Sequence, residues 1–285
     1  MAVEPKEAMM PSLVTSGDAP VTLHYTDTGG KGRPIVLVHG WPLSGESFLV
    51  NEPALTGAGL RVVTYDRRGF GRSDKPAVGY HYDTLASDLD DLMTHLDLRD
   101  AVLLGYSMGG GEVARYCSTY GTGRLAGVVL SSSICPALCQ SATNPDGAMP
   151  LSGFQELAAA CAADFRGFLA GFVTNFYSNA DGLAITAEEF DQALQIALQS
   201  DPAAAAECIL LWATDLRADC AGIDVPTLVI HGDGDRNVPM AVSSARAVEI
   251  IPDARLHVIS GGPHGANLSH HAEWEASVLE FVSGL

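Results

Sequence analysis

Ser107 stands in Gly105-Tyr106-Ser107-Met108-Gly109, between the apolar run AVLLGYS and the helix-like GGGEVARYCSTYG. A G-x-S-x-G run at a strand-to-helix turn forces a sharp bend that strains the serine and exposes its oxygen. Glycine on both flanks lets neighbouring backbone pass. A serine hydroxyl is a weak nucleophile at neutral pH and needs a base. Of the nine histidines, His264 is the candidate. It follows the last apolar run in the glycine-rich loop SGGPHGANLSHH, which could carry it back to Ser107. His39 and His231 each precede a glycine at a strand end and read as structural, and His270 and His271 begin the final helix. The imidazole in turn needs a carboxylate to fix its tautomer. Asp235, in HGDGDRNVP, is the candidate. Asp233 competes, but it comes sooner after the strand and reads as a cap on the turn. A tetrahedral intermediate needs N–H donors for its oxyanion. Met108, after the serine, supplies one, and Trp41, in the loop after PIVLVHG, supplies the other. Pro42 has no N–H. The Trp41 side chain would then wall the substrate pocket.

The glycines allow another reading. Gly109, Gly111 and Ala114 satisfy G-x-G-x-x-A, a phosphate cradle. That reading needs an acid at the end of the next strand, and LAGVVLSSSIC has none. There is no G-K-[ST] either.

These residues have to be delivered by elements. PIVLVHG, LRVVTYD, AVLLGYS, LAGVVLSSS, VPTLVIHGDGD and ARLHVISGG are short apolar runs suited to strands buried on both faces. VTLHYTDTGG alternates like a hairpin strand. Between the runs lie helical patterns, such as Leu85, Leu89, Leu92, Met93 and Leu96 in YDTLASDLDDLMTHLDL. Strands alternating with helices give an α/β protein, a mainly parallel sheet with helices on both faces. In such sheets working groups gather at the carboxyl ends of the strands, where Trp41, Ser107, Asp235 and His264 all fall. Residues 1–19 read as a loose lead-in, and 20–134 with 220–285 as the core. The alanine-rich stretch 135–219 holds no good buried strand and reads as a helical lid inserted over the strand ends. Within it Phe168, Phe172 and Trp212 are candidate pocket walls.

Bulk properties narrow the field. The 285 residues are 47% hydrophobic and 18% charged, enough for a sizeable core. Acidic residues outnumber basic ones 34 to 16, for a net charge of −18. Nucleic acid and anionic membrane surfaces are thus disfavoured as partners. No run approaches a membrane span, and the start MAVEPKEAMMPSLV lacks the pattern of a signal peptide. Six scattered cysteines suggest free thiols in a reducing cytoplasm. Cys135 and Cys139 lack partners for a zinc site, so no metal is expected.

HGWPLSGESF, YDRRGFGRS, HLDLRDAVLLGYSMGGGEVARY, VPTLVIHGDGDRNVP and GGPHG together resemble the cofactor-free (non-haem) haloperoxidases. These are α/β-hydrolases related to bacterial aryl esterases and perhydrolases. The resemblance spans roughly Val21 to the C-terminus apart from the lid. It implies an α/β-hydrolase fold with an eight-stranded sheet, and a triad of Ser107, Asp235 and His264 in that order. It implies oxyanion donors from Trp41 and Met108, and ester hydrolysis without metal, haem or other cofactor. Such enzymes can form a peracid from a carboxylic acid and hydrogen peroxide, and the Trp41-Pro42 pair is similar to that of the perhydrolytic members. The expected substrate is a small-molecule ester. Lactone, amide or carbon–carbon bond hydrolysis on the same triad is the alternative, as is a slow-turnover ligand-binding sensor. A homo-oligomer stays open.

Overall fold

The computed structural model describes residues 11–17 and 19–285. Eight strands form one sheet: β1 (Ser12–Val14), β2 (Thr22–Asp27), β3 (Pro34–Val38), β4 (Arg61–Tyr65), β5 (Ala101–Tyr106), β6 (Leu125–Ser131), β7 (Thr227–Gly232) and β8 (Ala254–Ile259). Their spatial order is β1-β2-β4-β3-β5-β6-β7-β8. The β1–β2 and β2–β4 pairings are antiparallel and the other five are parallel. The chain thus folds as an α/β protein with a mostly parallel eight-stranded sheet.

The apolar runs become the middle of the sheet because helices cover both faces and leave no solvent side. Every residue of β5 is buried. Each fully buried aliphatic side chain there contributes roughly 1.5–3 kcal/mol. Of the helices that complete the core, α1 (Glu52–Gly57) follows β3, and α2 (Tyr82–His95) buries Leu85, Leu89, Leu92 and Met93 at the expected spacing. Next comes α3 (Met108–Tyr120), which starts directly after Ser107.

Between β6 and β7 the chain leaves the sheet for α4 (Leu151–Ala163), α5 (Phe165–Phe176), α6 (Ala187–Ala197) and α7 (Pro202–Leu211). The short α8 (Arg217–Ala221) leads back. Only two-residue strand pairs interrupt this helical insertion, at Cys139–Gln140 with Met149–Pro150 and at Ser178–Asn179 with Gly182–Leu183. After β7 come α9 (Ser244–Ile250), β8, α10 (Ala266–Ser269) and α11 (His271–Ser283). Among the described residues no helix is long and apolar enough to cross a membrane.

One expectation is corrected at the N-terminus. Residues 1–10 and 18 of the loose lead-in lie outside the described residues. Ser12–Val14, however, is the edge strand β1, paired with β2 from Ser12 opposite His24 to Val14 opposite Thr22. Three residues are too few to show alternation, and the pairing is made by backbone groups.

The topology also locates a crevice. From β3 the chain moves to β4 on one side, then crosses back to β5 on the other. Loops leaving the carboxyl ends of β3 and β5 therefore diverge and open a cleft between them.

Candidate active site

Ser107 occupies the turn between β5 and α3 at φ +53° and ψ −118°. A residue with a side chain pays roughly 1–3 kcal/mol for such a conformation. The surroundings hold it there: its N–H donates to Ser131 O at 2.8 Å, and its C=O accepts from Gly110 N–H at 3.0 Å. The turn closes because its neighbours have no Cβ. One on Gly105 would meet Gly109 O at 2.6 Å, and one on Gly109 would meet Val38 O at 2.4 Å.

The three side chains expected to act together are in contact. The Ser107 hydroxyl donates to His264 Nε2 across 2.9 Å. His264 Nδ1–H donates to Asp235 Oδ2 across 2.6 Å. The carboxylate can only accept, so this bond sets the imidazole tautomer with Nε2 free to take a proton. Asp235 Oδ1 accepts from the N–H groups of Asn237 and Val238, each at 2.8 Å. A second histidine, the fully buried His231, stands 3.0 Å from Oδ2 through its Nε2. That nitrogen also lies 2.9 Å from Val238 O, so it carries the hydrogen. Burial works to raise the Asp235 pKa. The pull of His264 and the hydrogen bonds from both histidines outweigh it and hold the carboxyl well below the usual carboxylate range.

The imidazole is boxed in by rings. Tyr106 stacks on His264 at a centroid distance of 5.7 Å, and Phe176, at the end of α5, meets it edge-on at 4.6 Å. The Gly265 N–H also donates to Phe176 O at 2.9 Å, so the helical insertion is tied to the histidine loop. Asp233 faces elsewhere. Its Oδ1 accepts from Gly261 N–H at 2.6 Å, which joins the loops after β7 and β8.

Two backbone N–H groups belong to residues beside Ser107, one on each of the two loops. Met108 is the first residue of α3, where the helix dipole favours negative charge. Trp41 follows Gly40 in the loop after β3. A Cβ on Gly40 would come within 3.0 Å of the Ser107 Cβ, so this loop passes right against the serine. Neither N–H donates a hydrogen bond among the described residues.

A cavity of about 200 Å³ opens over Ser107 and His264. Leu138, Met149, Phe154 and Leu157 line it together with Phe172 and Trp212. The expected walls Trp41 and Phe168 are not among its lining residues, which corrects that expectation. The Trp41 indole is buried, donates through Nε1 to Ala205 O at 2.9 Å, and packs edge-on against Phe172 and Trp212 at 4.7 and 5.0 Å. It stands one layer behind the wall and props it up. Phe168 touches Trp41 at 6.1 Å in that same layer. The sequence does not mark Leu138, Met149, Phe154 or Leu157 as wall residues, since an apolar residue in a connecting segment or an alanine-rich helix looks the same whether it faces a core or a cavity.

Comparison with known proteins gives concordant results. A family model described as the alpha/beta hydrolase fold matches residues 33–271. The chain is 38% identical over 267 residues to a non-heme chloroperoxidase of Kitasatospora aureofaciens, covering 92% of this chain and 96% of that one. It is 30% identical over 273 residues to a bifunctional esterase/perhydrolase of Acinetobacter calcoaceticus, covering 94% and 98%. The crystal structure of a bromoperoxidase from Bacillus anthracis matches with a TM-score of 0.91 at 40% identity, covering 96% of this chain and all of that one.

Proposed function

The chain belongs to the alpha/beta hydrolase fold family, and from that premise we propose that it cleaves carboxylic esters through an acyl-enzyme on Ser107. The observation that carries this reading is the unbroken hydrogen-bonded chain from Asp235 through His264 to Ser107, with two free backbone N–H groups beside the serine.

Each step has a named group. His264 Nε2 takes the hydroxyl proton as Ser107 Oγ attacks the acyl carbon. The carbonyl oxygen becomes an oxyanion held by the N–H groups of Trp41 and Met108. Asp235 stabilises the imidazolium. His264 passes the proton to the leaving alcohol oxygen, and the ester C–O bond breaks. Water then gives a proton to Nε2 while its oxygen attacks the acyl-enzyme. The second intermediate collapses to the carboxylic acid, and the proton returns to Oγ. Hydrogen peroxide in place of water yields the peracid, the perhydrolase branch that the esterase/perhydrolase relative supports. The peracid can then oxidise halide.

The cavity suits small or medium uncharged acyl and aryl groups, because its walls are mostly apolar. The helical insertion over residues 135–219 acts as the lid, with α5 contributing Phe172 to the wall and Phe176 to the histidine box. Six free cysteines fit a cytoplasmic, reducing setting.

A fluorophosphonate probe tests the mechanism. The wild type should be labelled at Ser107, located by peptide mass spectrometry. Ser107→Ala should take up no probe and hydrolyse no short aryl ester. Esterase activity retained in Ser107→Ala would overturn the reading.

A further inference from the structure

Beneath the oxyanion loop lies a buried polar cluster that the proton relay does not use. His39 and Glu112 are 0% exposed, and Arg67 and Tyr65 are 1% exposed. Arg67 Nε donates to Glu112 Oε2 at 2.6 Å, and the Tyr65 hydroxyl donates to Oε1 of the same carboxylate. Arg67 Nη2 donates to His39 O at 2.8 Å, and the Arg67 backbone N–H donates to His39 Nε2 at 3.0 Å. The other ring nitrogen, Nδ1, lies 2.9 Å from Gly40 O and 3.4 Å from Arg67 Nη1.

The donors and acceptors leave one assignment. A backbone N–H can only donate, so Nε2 carries a lone pair. With Nε2 unprotonated, the ring holds its one hydrogen on Nδ1, aimed at the nearer of that atom's two neighbours, the accepting Gly40 O, rather than at the more distant Arg67 Nη1. His39 is therefore neutral and in its Nδ1–H form. Burial, followed by the charge of Arg67, holds its pKa well below the ordinary histidine value, which agrees with that form.

The carbonyl that His39 grips is half of a peptide unit whose other half is the Trp41 N–H. The Gly40–Trp41 bond is trans. In a trans peptide the C=O and N–H point in opposite directions within one plane. Fixing the Gly40 carbonyl thus fixes the direction of the Trp41 N–H. Leu43 N–H also donates to this oxygen, at 3.0 Å. The far end of the cluster reaches the second donor, because Glu112 lies one turn into α3, the helix that opens with Met108.

We propose that His39, Arg67 and Glu112 form a buried strut that holds the two oxyanion donors in register, with His39 as the positioning residue for the Trp41 N–H. The strut rests on the ester-hydrolase reading of the site. It touches neither substrate nor reacting atoms, so it acts through the geometry of the hole.

Two substitutions separate positioning from mere packing. His39→Asn keeps an N–H near the Nδ1 position, able to reach Gly40 O. His39→Gln puts its amide near the Nε2 position, so the Gly40 carbonyl loses the ring donor and keeps only the Leu43 N–H. Toward a short aryl ester, kcat should fall roughly a hundredfold in His39→Gln, the scale of losing one oxyanion donor. It should stay within about tenfold of wild type in His39→Asn, and KM should change by less than about threefold in both. Affinity for phenylboronic acid, whose adduct with Ser107 places an anionic oxygen in the hole, should drop in step with kcat. Equal kcat in two folded variants, or a loss confined to KM, would overturn the proposal. A measurement on the wild type stands apart from any folding defect: nitrogen NMR should find His39 neutral and Nδ1-protonated from about pH 5 to 8. An Nε2–H form or an imidazolium would refute the strut. A wild type that neither labels at Ser107 nor cleaves esters would instead refute the functional reading, and it would leave the His39 tautomer as measured.

Discussion

Asp233 and Asp235 follow the same strand, and the difference between them is one of acceptors and donors. Asp235 takes up hydrogen bonds from His264, His231 and two backbone N–H groups, while Asp233 takes one from Gly261. Asp235→Asn would set an amide against two imidazole N–H groups and favour the wrong His264 tautomer. A loss in kcat on the order of 10⁴-fold is expected, by analogy with the same exchange in another serine hydrolase. Asp233→Asn can still accept from Gly261, so kcat should hold within a few-fold and stability should fall by about 1 kcal/mol at most. Steady-state kinetics and urea midpoints on both variants check this, and full activity in Asp235→Asn would reassign the acid. The meeting of Ser107, His264 and Asp235 was legible because each sits at a fixed place relative to a strand end. Arg67, Glu112 and Tyr65 were not. They come from separate segments, and no local pattern tells a buried ion pair from a solvated one until the fold joins them.

Among the elements, the joint between β5 and α3 carries the most constraint. Glycine inside a helix is usually a weakness, and Gly→Ala there stabilises by up to about 1 kcal/mol. At Gly109 the sign should reverse. A Cβ would stand 2.4 Å from Val38 O and 2.8 Å from His39 O, and both neighbours are backbone that cannot swing away. Relieving that overlap means moving α3 off β3, at a cost of roughly 1–3 kcal/mol. Because Met108 opens the helix, the same shift would misplace its N–H. Gly109→Ala should therefore lower the thermal midpoint and reduce kcat together. A stabilised variant with wild-type kcat would show that the joint has slack. Element by element, the strands and helices of the core were readable from apolar runs and helical spacing, since burial on both faces leaves a pattern in composition. The short β1 and the aromatic layering behind the cavity left none. Strand pairing at an edge uses backbone groups, and whether Trp41 or Phe172 faces the substrate depends on how α5 and α7 cross the loop after β3.

At the scale of the whole molecule, the net charge of −18 acts at long range and the cavity acts at short range, and they differ in sign. The residues lining the cavity include Arg236 and no carboxylate among the described residues. Long-range fields are screened by salt. The Debye length shrinks from about 30 Å at 0.01 M to about 3 Å at 1 M, whereas contacts inside a pocket are screened much less. Esters with a common acyl group and cationic, neutral or anionic leaving alcohols separate the two effects. If the overall charge steers encounter, kcat/KM at about 0.01 M salt should rank cationic above neutral above anionic. The spread should collapse several-fold by about 1 M, while kcat, which follows binding, changes little. An anionic ester that leads at both ionic strengths would show that the mouth of the cavity, with Arg236, overrides the field of the surface. The neutral ester is the internal control, because salt effects on folding or on the relay itself would move all three together.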